Sequence, residues 1–158
     1  DNIKAYKLED TITLVVVNGR YSAELSDNVI LSGLHINTLS NLDQKGKELI
    51  GSLVDVSSES FVALNTAFSG DGFHLRVEKG TALQIPLHIL YIASASAPSI
   101  LNTRNIIEVQ ENAEATIIEE QIILGEGKVF HNFLSEKFVA DGAKLNTATI
   151  QNEGAGGF

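Results

Sequence analysis

GFHLRVEKGTALQIPLHILYIAS, residues 72–94, decides the fold. Phe73, Leu75 and Val77 alternate with His74, Arg76 and Glu78, the period-2 pattern of a strand with one buried face. That pattern turns Phe73, Leu75 and Val77 inward and His74, Arg76 and Glu78 toward solvent. Gly80 follows in a tight turn, where a residue without Cβ adopts a left-handed backbone most easily. Ile85 to Ile92 is then apolar on both faces except at His88, which suits a strand covered on both sides.

The unit recurs. Val77-Glu-Lys-Gly80-Thr-Ala-Leu83 is echoed by Val109-Gln-Glu-Asn112-Ala-Glu-Ala115 and by Val139-Ala-Asp-Gly142-Ala-Lys-Leu145, at spacings of 32 and 30 residues. In each, a Val ends a strand, two polar residues lead to Gly or Asn, and an apolar strand restarts. Gly and Asn are the residues that tolerate positive φ. A period of a few tens of residues predicts stacked coils, none of which buries its own face alone. Ordinary hairpins with a shared turn chemistry are the alternative reading of the same residues.

Ile, Val and Thr number 16, 11 and 9 of 158 residues, a β-rich composition in a chain long enough for one domain with a real core. There is no Cys, so disulfides, thiolate nucleophiles and Cys-ligated iron–sulfur or zinc sites are excluded from this chain. There is no Met, which predicts a partial chain. A net charge of −9 with no basic stripe argues against nucleic acid, and no apolar run approaches a membrane span of about 20 residues. No basic-then-apolar signal opens the chain, so a soluble cytoplasmic protein is expected.

In order, Ile12–Val17 and Arg20–Leu25 flank Asn18-Gly19, which predicts a hairpin through a type I′ turn. Val29–Ile36 reads as a further strand. Asn41–Leu53 reads as a helix capped by Asn41, with Gln44 in the reciprocal capping position and Leu42, Leu49, Ile50 and Leu53 on one face. Gly46 and Gly51 weaken it by about 1 kcal/mol each. Phe61–Phe68 predicts a second helix, capped by Ser57 or Ser58, presenting Phe61, Leu64 and Phe68 together and ended by Gly70. Ala93–Asn102, with Pro98, reads as a loop. Strand patterns resume over 105–109, 115–124, 129–140 and 145–151, and Glu153–Phe158 reads as a frayed or cut end.

Chemical motifs are scarce. His35, His74, His88 and His131 are dispersed, and no H-x-H, HExxH or carboxylate ladder unites them. His35 reads as a strand-edge residue, His74 as solvent-facing and His88 as a hydrogen-bonded interior residue, and His131 stays ambiguous. Glu119 and Glu120 are adjacent on a strand and so face opposite ways, which argues against a paired acid/base site. The carboxylate excess is expected to form a solvated surface. Gly70-Asp-Gly72 lacks a dinucleotide fingerprint and Gly125-Glu-Gly127-Lys128 lacks the Walker spacing, so both read as turns. Ser57, Ser58 and Ser60 show no nucleophile elbow.

Six phrases in order resemble the SufD family of the SUF iron–sulfur cluster assembly machinery. They are Leu14–Gly19 with Leu25-Ser26, Phe61–Phe68 (FVALNTAF) with Asp71-Gly72, Pro86–Ile92 (PLHILYI), Asn102–Val109 (NTRNIIEV), Ala113–Glu119 (AEATIIE) and Ala148–Asn152 (ATIQN). The sister family SufB shares the LN-x-A and Asp-Gly phrases but typically carries an Arg-containing FRI sequence after the proline, where this chain has LHILYI. The resemblance implies an all-β-dominated chain forming a right-handed parallel β-helix, with one or two short helices in the N-terminal half. It implies a single domain over 1–158. Residues 1–70 would lead into the core, and residues 71–158 would form coils truncated at the C-terminus. It also implies a non-catalytic scaffold subunit partnering SufB-like subunits and the SufC ATPase, with a homodimer as a further association. The resemblance implies that contact with SufC is made mainly through the family's C-terminal part and that its cluster-building residues lie toward that side, past this stretch. No catalytic, cofactor-binding or metal-ligating role therefore passes to His35, His74, His88 or His131, and no cofactor is expected. An enzyme or carbohydrate-binding protein on a β-helix and a self-associating structural β-helix are the rival readings. The first calls for a cleft with clustered charged or aromatic residues, whereas the 10 aromatics (Tyr 3, Phe 7) are scattered.

Overall fold

The computed structural model describes residues 3–57 and 59–152. Within them lie nine strands: β1 Ile12–Val17, β2 Arg20–Ser22, β3 Leu34–Thr38, β4 Gly72–Val77, β5 Leu87–Ser94, β6 Ser99–Val109, β7 Glu114–Leu124, β8 Val129–Val139 and β9 Lys144–Asn152. Two α-helices, α1 Gln44–Leu49 and α2 Ser60–Phe68, intervene between β3 and β4. The strands form a five-stranded sheet in the order β2-β1-β5-β7-β9 and a four-stranded sheet in the order β3-β4-β6-β8.

From β4 onward the chain crosses to the other sheet at every turn, so β4 and β5 of the 72–94 stretch never pair with each other. Each strand instead lies parallel to the one a repeat later. Val77 aligns with Val109, and Val109 with Val139. The three turns after these valines are equivalent. Gly80, Asn112 and Gly142 have φ of 71°, 58° and 69°, the left-handed conformation expected of them. Gly80 N donates to Glu111 O and Asn112 N to Asp141 O, so each turn also bonds to the next.

The apolar face of the alternation packs between the sheets. Leu14, Val16, Phe73, Leu75, Val77, Ile89, Ile107, Val109 and Ile117 form the main buried cluster. Behind the five-stranded sheet, Val15, Leu90, Ile92 and Ile122 form a second cluster under Ile3 and Tyr6 of an N-terminal 3-10 segment. This explains why β5 reads as apolar on both faces: both are covered. The strand starts at Leu87 rather than Ile85, which is exposed ahead of Pro86.

Each sheet ends at one edge in an antiparallel strand. β2 lies beside β1 through the Asn18-Gly19 turn, whose residues have φ of 49° and 79° as a type I′ turn requires. β3 lies antiparallel on β4. Where β2 stops, the Ser26 hydroxyl accepts from Val15 N and the Asp27 carboxylate from Thr13 N, so the edge of β1 does not face water with bare donors.

Several local expectations shift. The strand foreseen at 29–36 begins only at Leu34, after Gly33, and Val29 and Ile30 are exposed. The helix foreseen over 41–53 contracts to α1. Its cap is Asp43, whose carboxylate accepts from Gly46 N at 2.8 Å, and Gly51, at φ 82°, lies beyond its end. Asn41 belongs to a 3-10 turn instead. In α2 the N-cap is Glu59, Ser57 turns onto Asp55, and Ser58 lies outside the described residues. The C-cap is Ser69 rather than Gly70. Phe61 and Phe68 stand 62% and 68% exposed, and the helix buries Asn65 instead. The loop foreseen at 93–102 is confined to 95–98, because β6 begins at Ser99. The tail at 153–158 lies outside the described residues.

Two glycines make separable tests. A Cβ at Gly80 meets nothing within 4 Å, so Gly80→Ala should cost only the left-handed backbone, about 1–2 kcal/mol. A Cβ at Gly72 would sit 1.6 Å from the Arg104 carbonyl oxygen, which forces β4 off β6. Gly72→Ala should therefore exceed the usual overpacking cost of about 1–3 kcal/mol. Urea titration of both variants should rank Gly72→Ala as clearly the more damaging.

Candidate functional site

The outward face of the four-stranded sheet mixes apolar side chains such as Ile106 and Leu134 with the polar His74, Arg104, Glu108, Asn132 and Glu136, which in a solvated sheet would face water. Here α1, α2 and the segment between them lie over that face. Arg104 on β6 and Glu136 on β8 are 1% and 2% exposed. Arg104 Nε and Nη2 donate to Glu136 Oε1 at 3.1 and 2.8 Å, and Nη1 donates to Thr66 Oγ1 of α2 at 3.0 Å. The same carboxylate accepts from Gly51 N at 2.8 Å and Leu53 N at 3.1 Å. A buried ion pair needs this many bonds to offset its lost hydration.

Asn65 fixes α2 in the same way. Its Nδ2 donates to Thr103 O at 2.9 Å and Asn132 O at 3.0 Å, bridging β6 and β8. Asn132 Nδ2 returns a bond to Phe61 O at 2.8 Å and another to Asn102 Oδ1 at 3.0 Å. The helix is thus seated by amides, and that is why its phenylalanines stay outside.

All four histidines carry a partner. His35, on the edge strand β3 as expected, donates to Glu78 Oε1 at 2.8 Å. His74 is not solvent-facing. It is 5% exposed and donates to Glu108, because the layer over the four-stranded sheet covers its outward face. His88 is fully buried as an interior histidine, with Nε2 donating to Glu120 Oε2 at 3.0 Å and Nδ1 3.4 Å from Thr13 Oγ1. Burial pushes its pKa down, and the Glu120 charge pushes partly back. His131 lies 2.8 Å from Thr103 Oγ1 and edge-on to Phe133, and burial lowers its pKa as well.

The carboxylates are not all solvated. Glu119, Glu120 and Glu136 are buried, each holding a donor. Glu119 and Glu120 do face opposite ways. Glu120 serves His88, while Glu119 points between the sheets. There Glu119 accepts from Lys137 Nζ at 2.7 Å and Tyr91 OH at 3.3 Å, and Tyr91 OH accepts from Asn105 Nδ2 at 3.1 Å. Burial, reinforced by the Glu119 charge, pushes the Tyr91 phenol well above its ordinary value.

Sequence reasoning missed this polar layer, and the phrase that held its signal was Asn102-Thr-Arg-Asn105, four polar residues inside a strand. Among the described residues, no group of three or more His, Asp and Glu is placed to hold a metal ion. Most of these buried groups bond to one another, which suits a rigid support, while Asn65 Oδ1, Asp71 Oδ1, Arg76 Nε and Ser135 Oγ are buried without a partner among the described residues.

Two family models match the chain. That of the SufBD protein N-terminal region covers residues 7–89, and that of the SUF system FeS cluster assembly SufBD core domain covers 91–158. The chain belongs to the SufBD family, as a SufD-type member. It is 31% identical over 125 residues to the iron-sulfur cluster assembly protein SufD of Escherichia coli (strain K12), covering 77% of this chain and 28% of that protein. It is 25% identical over 158 residues to an iron-sulfur cluster assembly SufBD family protein of Synechocystis sp., covering 92% of this chain and 35% of that one. The chain therefore spans about a third or less of the length of these relatives.

Removing one half of the buried pair leaves the other charge stranded. Glu136→Ala should cost about 3–5 kcal/mol in a denaturant titration, while the apolar double replacement Arg104→Met with Glu136→Leu should cost less. A second expectation follows from His131. Its folded pKa lies below its unfolded value near 6.5, so the unfolded chain takes up this proton first as pH falls. Its contribution is complete above about pH 6.5 and is lost as pH drops toward the folded pKa. Urea midpoints at about pH 7.5 and about pH 5.5 should differ less in His131→Gln than in the parent chain.

Proposed function

We propose that this chain is the structural core of a non-catalytic scaffold subunit of the SUF iron–sulfur cluster assembly system, working with SufB-like and SufC-like partners. The match of the SUF core and N-terminal family models over residues 91–158 and 7–89 carries this reading. In it the two sheets are opposite faces of a right-handed parallel β-helix, with β4–β5, β6–β7 and β8–β9 as successive coils of one domain. The register of Val77, Val109 and Val139 supports that winding. The first strands and the two helices belong to the same domain as its antiparallel edges and outer cover.

Cluster chemistry and ATP hydrolysis fall to the partners. Iron–sulfur clusters are held chiefly by thiolates, and this chain has no Cys. Nucleotide hydrolysis needs a phosphate cradle with Lys and Ser or Thr, which Gly125-Glu-Gly127-Lys128 does not supply. The role left to the chain is a rigid surface, and the buried hydrogen-bond networks of Arg104–Glu136 and Asn65–Asn132 suit it. We place it in the cytoplasm, as a heteromeric subunit first and a homodimer second.

The test is coexpression with the SufB-like and SufC-like proteins of the same source, followed by gel filtration. A stoichiometric complex is expected. Anaerobic treatment of the chain alone with iron and sulfide should leave no stable visible absorbance. A chain that migrates alone beside both candidates, or one that carries a stoichiometric cluster through the column unaided, overturns the proposal.

A further inference from the structure

A groove of about 280 Å³ lies between α1 and the ends of β4 and β6, lined by Asp43, Lys45, Leu49, His74, Arg76 and Glu108, with Gln110 beside them. Its charged groups are of two kinds. The carboxylates are already at work: Asp43 caps α1 through Gly46 N, and Glu108 accepts from His74. The cations are not. Neither Arg76 nor Lys45 forms an ion pair among the described residues. Arg76 Nε is buried with no hydrogen-bond partner among the described residues. Buried donors are rarely left so, and each one calls for a reason. The chain carries 11 Lys and Arg against 20 Asp and Glu, so two unpaired cations on one groove are unexpected in it.

We propose that this groove binds a small carboxylate, with the Arg76 guanidinium as its fork and the Lys45 ammonium as a second contact. A guanidinium presents parallel N–H groups at the spacing of two carboxylate oxygens, and such bidentate pairs are stronger than neutral hydrogen bonds. Asp43 and Glu108 set the ligand's charge. They nearly balance Lys45 and Arg76, which favours a carboxylate group of single charge over a doubly charged phosphate. The Gln110 amide offers a further donor, because only its oxygen is engaged, by Lys79 N at 3.2 Å. The site is independent of the scaffold role proposed above.

The test is amide and Arg side-chain NMR of the chain titrated at constant ionic strength with acetate and inorganic phosphate in turn. Saturable shifts at Gly46, Gln110 and Arg76 Nε are expected with acetate, and weaker ones with phosphate. Arg76→Gln should weaken acetate binding about tenfold or more. Lys45→Gln, on the exposed side of α1, should weaken it a few-fold without disturbing the fold, so it decides the matter if Arg76→Gln does not fold. Lys79→Gln, whose ammonium pairs with Glu111 outside the groove, should change nothing. Absence of saturable shifts, shifts indifferent to both groove variants, or phosphate binding tighter than acetate each overturns the assignment.

Discussion

The Arg104–Glu136 pair is the constraint on which the outer half of the molecule depends. Two ions withdrawn from water lose hydration worth several kcal/mol each, and one contact between them does not restore it. The deficit is met by assembling every neighbour that can donate or accept. Arg104 reaches Thr66 on α2, and Glu136 takes the amides of Gly51 and Leu53. Those bonds exist only when the chain between β3 and β4 lies across β6 and β8. The pair thereby converts an irregular segment into a fixed cover.

The inner half obeys a simpler rule, and it is the half that can be read from the sequence. Val77, Val109 and Val139 with Gly80, Asn112 and Gly142 report a turn repeated in space, because positive φ and burial are local demands written into residue type. Asn18-Gly19 is legible for the same reason. His74 and Asn65 were not. Alternation says that His74 points away from Leu75, but not whether anything lies beyond it. The cover that buries His74 comes from residues some thirty positions earlier in the chain, and no local period records that. Phe61 and Phe68 are the complementary case: they share one face of the helix as the spacing predicts, yet both stay exposed and two carboxamides seat it.

One edge of each sheet shows how parallel strands can be finished. β2 and β3 run antiparallel to their neighbours, and Ser26 and Asp27 finish the edge of β1 with side chains in place of a strand. An unpaired row of amides invites association, and these side chains and short antiparallel strands answer that hazard on one side of each sheet.

The bonds from Gly51 and Leu53 to Glu136 join positions 85 and 83 residues apart. Such closures are slow, since the chain must surrender loop entropy before the contact rewards it. During synthesis the cover emerges before β4, long before its acceptor on β8 exists. Each strand pair can settle on the previous one as it appears, and α2 can meet β6 through Thr103 and Arg104, but the Gly51–Leu53 segment must wait unfastened until β8 arrives. The cover is made early and fastened late, and for that interval Arg104 is a charge without its partner.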